Sequence, residues 1–387
     1  MQQQFAHAML PKANHDERAR QAFVQSLKVH LATKVVQGNR ETYEQRVRPA
    51  LERENGQAPT DRRAIAAAMT DEPFYRLWGS LQRCSQEMCW NAVLDSIERQ
   101  TDDLATRPAM TEGTLGSLEL DPDLAMPRYL SALDIHCMPG GYGGQAFDGD
   151  VTAGALYDRG GYIYAMGGWE PDNGVMGRTV AGFIKQRFGD LAPARILDLG
   201  CGVGHGTLPY VDAFPDAELH AIDVAQPMLR YAFGRANAMG KAVHFRQANA
   251  EATPYPDGHF DLVVSHILLH ETSAKAIRRI MAECFRLLRP GGLMVHVDLS
   301  LYSGMDPFDA FMLDWDTRHN NEPFWSVFRM LDPTDLITAA GFAAEDVTSG
   351  HISRTAVADH VFSDNRDSGG RKNWEILGAR KQATPTA

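Results

Sequence analysis

Ile196-Leu-Asp-Leu-Gly-Cys-Gly-Val-Gly-His-Gly206 sets a cluster of glycines directly behind a short apolar run. Asp198-x-Gly200-x-Gly202-x-Gly204 falls where a buried strand is expected to end and a helix to begin. Glycines without Cβ atoms let the backbone turn tightly there and approach a ligand closely. The next apolar run closes on Ala221-Ile-Asp223. An acid at that place is positioned to accept hydrogen bonds from ribose hydroxyls. A dinucleotide site would need G-x-G-x-x-G. Counting from Gly200 puts His205 at the third glycine position, and counting from Gly202 puts Thr207 there. Both frames fail, which leaves a nucleoside cofactor without a pyrophosphate.

Further blocks follow in order: Asn249-Ala-Glu251, Pro256-Asp-Gly-His-Phe-Asp-Leu-Val-Val264 and Leu287-Leu-Arg-Pro-Gly-Gly292. Together with Asp198–Gly204 and Asp223, they make residues 193–300 resemble the class I S-adenosylmethionine (SAM)-dependent methyltransferases of the type 11/25 small-molecule group. The resemblance implies SAM as cofactor. It implies Asp198, Gly200, Gly202 and Gly204 beside the methionine part, Asp223 on the ribose, and Asn249 with Ala250 at the adenine. Ser265 and His266, at the end of the fourth strand, are expected to flank the same ligand. Many relatives carry Asp where this chain has Asn249.

Composition narrows the function. The 387 residues suffice for two domains. Hydrophobic content of 44% and charged content of 22% are those of a globular protein. A net charge of −11 argues against nucleic acid as substrate. No apolar run reaches membrane-spanning length, and the first residues lack a signal-peptide pattern. The five scattered cysteines read as reduced thiols, so a cytoplasmic location without disulfide or metal site is expected.

Residues 1–20 are polar and are expected to fray. From Gln21 to Arg99 the pattern is helical. Phe23, Leu27, Val29, Leu31, Val35 and Val36 recur at mixed helical spacing. Thr60 or Asp61 is placed to cap Arg63–Met69, and Phe74, Trp78, Leu81, Met88 and Trp90 form a stripe that suits core packing. Residues 100–175 are rich in Gly, Pro and Asp and are expected to be irregular yet ordered, covering a site with His136, Tyr142, Tyr162, Tyr164 and Trp169. Beyond Arg195, strands over Arg195–Leu199, Glu218–Asp223, Ala242–Ala248, Asp261–Ser265 and Leu293–Leu299 alternate with helices, which implies a parallel sheet. Ala343–Thr348 and Asn373–Arg380 suit an antiparallel closing hairpin. The expected fold is α/β, a doubly wound, mostly parallel seven-stranded sheet with an N-terminal helical domain. Residues 1–150 form that helical part, serving as a substrate lid or as a homodimer surface. Residues 151–387 form the cofactor domain, with a substrate insertion at about 300–335.

Ligands of open α/β sheets sit beyond the carboxyl ends of the strands. The fourth strand ends in Val263-Val-Ser-His266-Ile-Leu-Leu-His270-Glu271. This resembles the place where O-methyltransferases of small phenols carry a His–acid pair, which implies His270 as general base with Glu271 orienting it. The family usually has Asp at the second position, and the Asn/Asp-Pro-Pro-Tyr block of amide methyltransferases is absent. The insertion carries Asp314, Trp315, Asp316, Asn321 and Glu322. Acids beside tryptophan suit a small polar or cationic substrate. Oxygen methylation of a small molecule therefore leads. Nitrogen or sulfur methylation, working mainly by positioning, is the alternative. A SAM-binding regulatory protein without turnover is a third reading.

Overall fold

The β-branched and leucine-rich runs after Arg195 pair as a single sheet. The computed structural model describes residues 3–107, 114–353, 362–363 and 373–383. Among these the strands are β1 (Ser117–Glu119), β2 (Arg195–Leu199), β3 (Glu218–Asp223), β4 (His244–Gln247), β5 (Phe260–His266), β6 (Leu288–Leu299), β7 (Val347–Ser353), β8 (Phe362–Ser363) and β9 (Asn373–Arg380). Their order is β1-β4-β3-β2-β5-β6-β9-β7-β8. The expected seven-stranded sheet is present, extended by one short strand at each edge. From β1 to β6 all pairings are parallel, while β9 runs antiparallel to both β6 and β7. Chain order reverses between β3 and β5 on either side of β2, so a crevice opens beyond the carboxyl ends of β2 and β5.

Helices cover both faces. Ala274–Leu287 turns Ile277, Ile280, Met281, Cys284 and Leu287 to the sheet, and Ser273 caps it by accepting from the Ala276 N–H. No helix among the described residues is long and apolar enough to cross a membrane.

Four expectations need correction. Residues 3–20 are docked rather than frayed. Met9 is buried, Gln4 and His7 bond the Asp158 carboxylate, and Asn14 forms a capping box with Glu17 ahead of His15–His30. Residues 1 and 2 lie outside the described residues. In the long helix Pro73–Glu98, Leu81 and Met88 are exposed. The buried stripe instead runs through Tyr75, Trp78, Ser85, Gln86, Cys89, Trp90 and Val93. Phe23 is likewise exposed, because the buried face of its helix runs through Gln21, Val24, Gln25 and Lys28. The segment Thr152–Tyr164, expected as part of an irregular stretch, is a helix. Its glycines permit close packing, and that packing overrides their poor helix propensity. The closing hairpin begins at Val347, since Ala344–Asp346 form a 3₁₀ turn.

The N-terminal helices share a core with the sheet domain. Val24, Trp90 and Val93 cluster with Val203, Ala225, Met228 and Tyr231. Tyr43, Ile65, Met69 and Trp78 cluster with Phe308, Phe311, Met312 and Trp315 of the helix Pro307–His319. These two seams position helices 1–100 directly over the carboxyl end of the sheet.

Candidate active site

The turn after β2 is built from left-handed glycines: Gly200, Gly202 and Gly204 have φ of 67°, 54° and 81°. A Cβ on Gly202 would find nothing closer than the Met228 methyl at 3.7 Å, so this glycine faces open space. Asp223, at the end of β3, accepts from the Gly202 N–H and the Ala225 N–H, both at 2.9 Å. Burial pushes its carboxyl pKa up, and those two N–H groups act against it. Gly200, Gly202 and Asp223 line a cleft together with Asn249, Ala250, His266, Tyr129, Tyr142, Tyr157 and Glu271. A mixed apolar and polar cleft with an acid at the β3 end fits a nucleoside with a short zwitterionic tail.

A second, more spacious cavity lies beside the first. Tyr157 and Ile267 line both. The N-terminal helices contribute Lys28, Trp78, Gln86 and Trp90 to it, and the segment after β6 contributes Trp315, Asp316, Trp325 and Arg329. The chamber is therefore aromatic with a few charges. Lys28 donates to Gln86 Oε1 at 2.9 Å and lies over the Tyr164 ring. Burial lowers its pKa. Arg329 donates to the Ser300 carbonyl, and its Nε has no hydrogen-bond partner.

Between the cavities stands a buried ionic network. His270 lines the chamber. Its Nδ1 is hydrogen-bonded to Asp298 Oδ1 at 2.5 Å, and its Nε2 lies 3.5 Å from Glu271 Oε1. The other Asp298 oxygen accepts from the Leu269 N–H at 2.8 Å, which ties the carboxylate to the turn that carries His270. Burial opposes a charged imidazole, but Asp298 and then Glu271 outweigh it and raise the His270 pKa to about 9. Glu271 accepts from Tyr142 Oη at 3.0 Å and faces His136 Nε2 at 3.2 Å. His136 Nδ1 pairs with Glu322. Burial and the charge of Glu271 raise the Glu322 pKa to about 7, with His136 acting against them.

Of the residues singled out from sequence, Gly200, Gly202, Asp223, Asn249, Ala250, His266 and Glu271 are brought to one cleft. Asp198 lies beneath it, fully buried, accepting from Thr207 Oγ1 at 2.5 Å. Gly204 supports the turn without lining the cleft. Ser265 is directed into the sheet, hydrogen-bonded to His296 at 2.6 Å. His270, Trp315 and Asp316 line the chamber. Asp314 pairs with Arg62 and Tyr302, Glu322 pairs with His136, and neither lines the chamber, so neither is placed to meet a substrate there. Asn321 donates to the Asp134 carbonyl outside the chamber. The acid that orients His270 is Asp298, not Glu271. An aspartate inside the apolar run Met294-Val-His-Val-Asp298 was the signal for it. Lys28 and Arg329 carried no such signal, being scattered along the chain, whereas His136 stands in the Gly-rich segment expected to cover the site and does line the chamber.

Comparison with known proteins finds methyltransferases. The family model of a methyltransferase domain matches residues 196–292. The chain is 40% identical over 104 residues to a demethylmenaquinone methyltransferase of Thermus thermophilus, covering 27% of this chain and 46% of that one. It is 42% identical over 103 residues to a malonyl-[acyl-carrier protein] O-methyltransferase of Methylococcus capsulatus, covering 26% of this chain and 35% of that one. The chain thus spans less than half the length of these relatives. The crystal structure of the YcgJ protein of Bacillus subtilis overlays with 22% identity and a TM-score of 0.37, covering 53% of this chain and 98% of that one.

Proposed function

With residues 196–292 a class I SAM-dependent methyltransferase domain, we propose that the chain methylates a small molecule held in the aromatic chamber, on a hydroxyl oxygen, with His270 as general base. The cofactor is SAM, which when bound supplies an electrophilic methyl group. The protein's part is to orient the acceptor, take its proton and exclude water. Asp223 and the glycine turn hold the nucleoside end. Residues 1–150 supply the helical roof of the chamber, and the insertion at about 300–335 supplies its far wall.

The observation that carries the reading is the Asp298–His270 pair at the junction of the two cavities. Asp298 fixes Nδ1, so Nε2 is the nitrogen left to receive a proton. With its pKa raised to about 9 the imidazole is mostly protonated at neutral pH, so it acts as a base in its deprotonated fraction, matched in strength to a phenol, and turnover should rise with pH toward 9. Lys28 and Arg329, both buried in the chamber wall, suit an acceptor that also carries an anionic group. One of the matched relatives is named an O-methyltransferase, in line with the same chemistry.

His270→Gln is expected to lower turnover by about 10²–10⁴-fold, with SAM affinity nearly unchanged. SAM consumption against a panel of phenols, hydroxy acids, amines and thioethers measures it. Full turnover in the variant would remove the base and favour nitrogen or sulfur methylation. Asp316, among Trp78, Trp315 and Trp325 in the same chamber, supports an amine acceptor in that case. A folded protein that binds SAM but turns over nothing would leave the regulatory reading.

A further inference from the structure

His136, Glu271 and Glu322 come from three separate segments: the turn Ile135–Cys137, the turn Leu269–Glu271 behind β5, and the loop that follows Pro307–His319. One ligand atom from each lies within 4.8 Å of the others. Their relative exposures are 9%, 7% and 1%, so water does not solvate the two carboxylates. His136 is shared between the two carboxylates, and His270, which also stands 3.5 Å from Glu271 Oε1, is itself paired with a third, Asp298, so acids outnumber imidazoles three to two. Glu271 Oε2 is buried without any hydrogen-bond partner. A buried carboxylate oxygen without a partner is destabilising unless a donor or a cation meets it.

The frame around the cluster is fixed from outside. The His136 carbonyl accepts from Gln86 Nε2 and from Trp90 Nε1, at 2.9 and 2.8 Å. Those bonds hold His136 and Cys137 in left-handed backbone, each at φ 57°. Tyr142 bonds Glu271, and Asn321 ties the neighbouring loop to the Asp134 carbonyl.

We propose that His136, Glu271 and Glu322 form a binding site for a divalent first-row transition metal ion. One neutral imidazole and two carboxylates around a doubly charged ion make an electrically neutral cluster, as a buried site requires. A nitrogen–oxygen–oxygen donor set suits Mn²⁺, Fe²⁺ or Zn²⁺. Three protein ligands leave coordination positions open, the pattern of catalytic rather than structural ions. His136 lines the chamber and Glu271 the cofactor cleft, so the open positions face their junction. An ion there would hold and polarise an oxygen of the acceptor. The site goes beyond the methyl-transfer reading and stands whichever atom is methylated.

The test needs no substrate. The whole 387-residue chain is stripped with a chelator and dialysed against Mn²⁺ or Zn²⁺, and bound metal is counted by mass spectrometry. The wild type and the control His15→Ala, which removes an exposed histidine, should retain one ion per chain. Glu322→Gln and His136→Gln should lose it. Mn²⁺ should also raise the melting temperature of the wild type, an assay that remains if a variant fails to fold. A wild type that retains neither ion and does not shift its melting temperature would overturn the site. Equal retention by folded Glu322→Gln and His136→Gln would overturn it as well.

Discussion

Gly202 shows how a single residue decides between fold and function. Its φ of 54° is accessible to other residues only with strain, but a Cβ there would grow into the cleft, toward Met228 at 3.7 Å. At Gly200 the same atom would lie 2.6 Å from Leu268 Cδ1, inside the protein. Gly202→Val is therefore expected to stay folded by circular dichroism and to lose SAM binding in calorimetric titration. Wild-type affinity in that folded variant would place the ligand elsewhere. The meeting of Gly202 and Asp223 in one cleft was legible in the sequence because a glycine-rich turn behind one strand and an acid at the end of the next fall side by side in a parallel sheet. Asp298 was missed because a charged group within a buried strand takes its meaning from what lies across the sheet, here His270. Asp314 and Glu322 were read as free acids because their partners, Arg62 and His136, are remote in the chain.

At the scale of elements, the helix Thr152–Tyr164 connects the roof to the sheet. Gly154 approaches Tyr231, where a Cβ would sit 2.3 Å from the Tyr231 Cβ, and Gly160 approaches the Trp90 ring equally closely. Gly160→Ala is expected to lower stability by about 1–3 kcal/mol through overpacking, despite the better helix propensity of alanine. Denaturant midpoints of the two proteins measure this, and an unchanged or raised midpoint would contradict the packing described. Glycines in a sequence read as breakers. Here tertiary contact reverses that reading, which explains why the alternation after Arg195 was legible and Thr152–Tyr164 was not. The parallel strands announced themselves as continuous apolar runs, whereas a helix built on small residues leaves only a composition typical of loops.

For the molecule as a whole, acid stability follows from a histidine inside the sheet. His296 is fully buried against Ser265 and Cys284. Burial lowers its pKa to about 4, although Asp298 pulls it upward. The unfolded chain, with an ordinary histidine, binds this proton more readily, so stability falls as pH drops from about 6.5 toward 4. The loss from this group amounts to about 3 kcal/mol. Melting temperatures across that range should fall less steeply for His296→Gln, and an identical slope would show that another group governs the loss. The most direct test of the central claim is a crystal structure with S-adenosylhomocysteine. The ribose hydroxyls should bond Asp223, the nucleoside should lie over the Gly200–Gly202 turn, and the sulfur should point to the junction of the cavities where His270 stands. A ligand bound outside this cleft, or with its sulfur turned away from the chamber, would contradict the account.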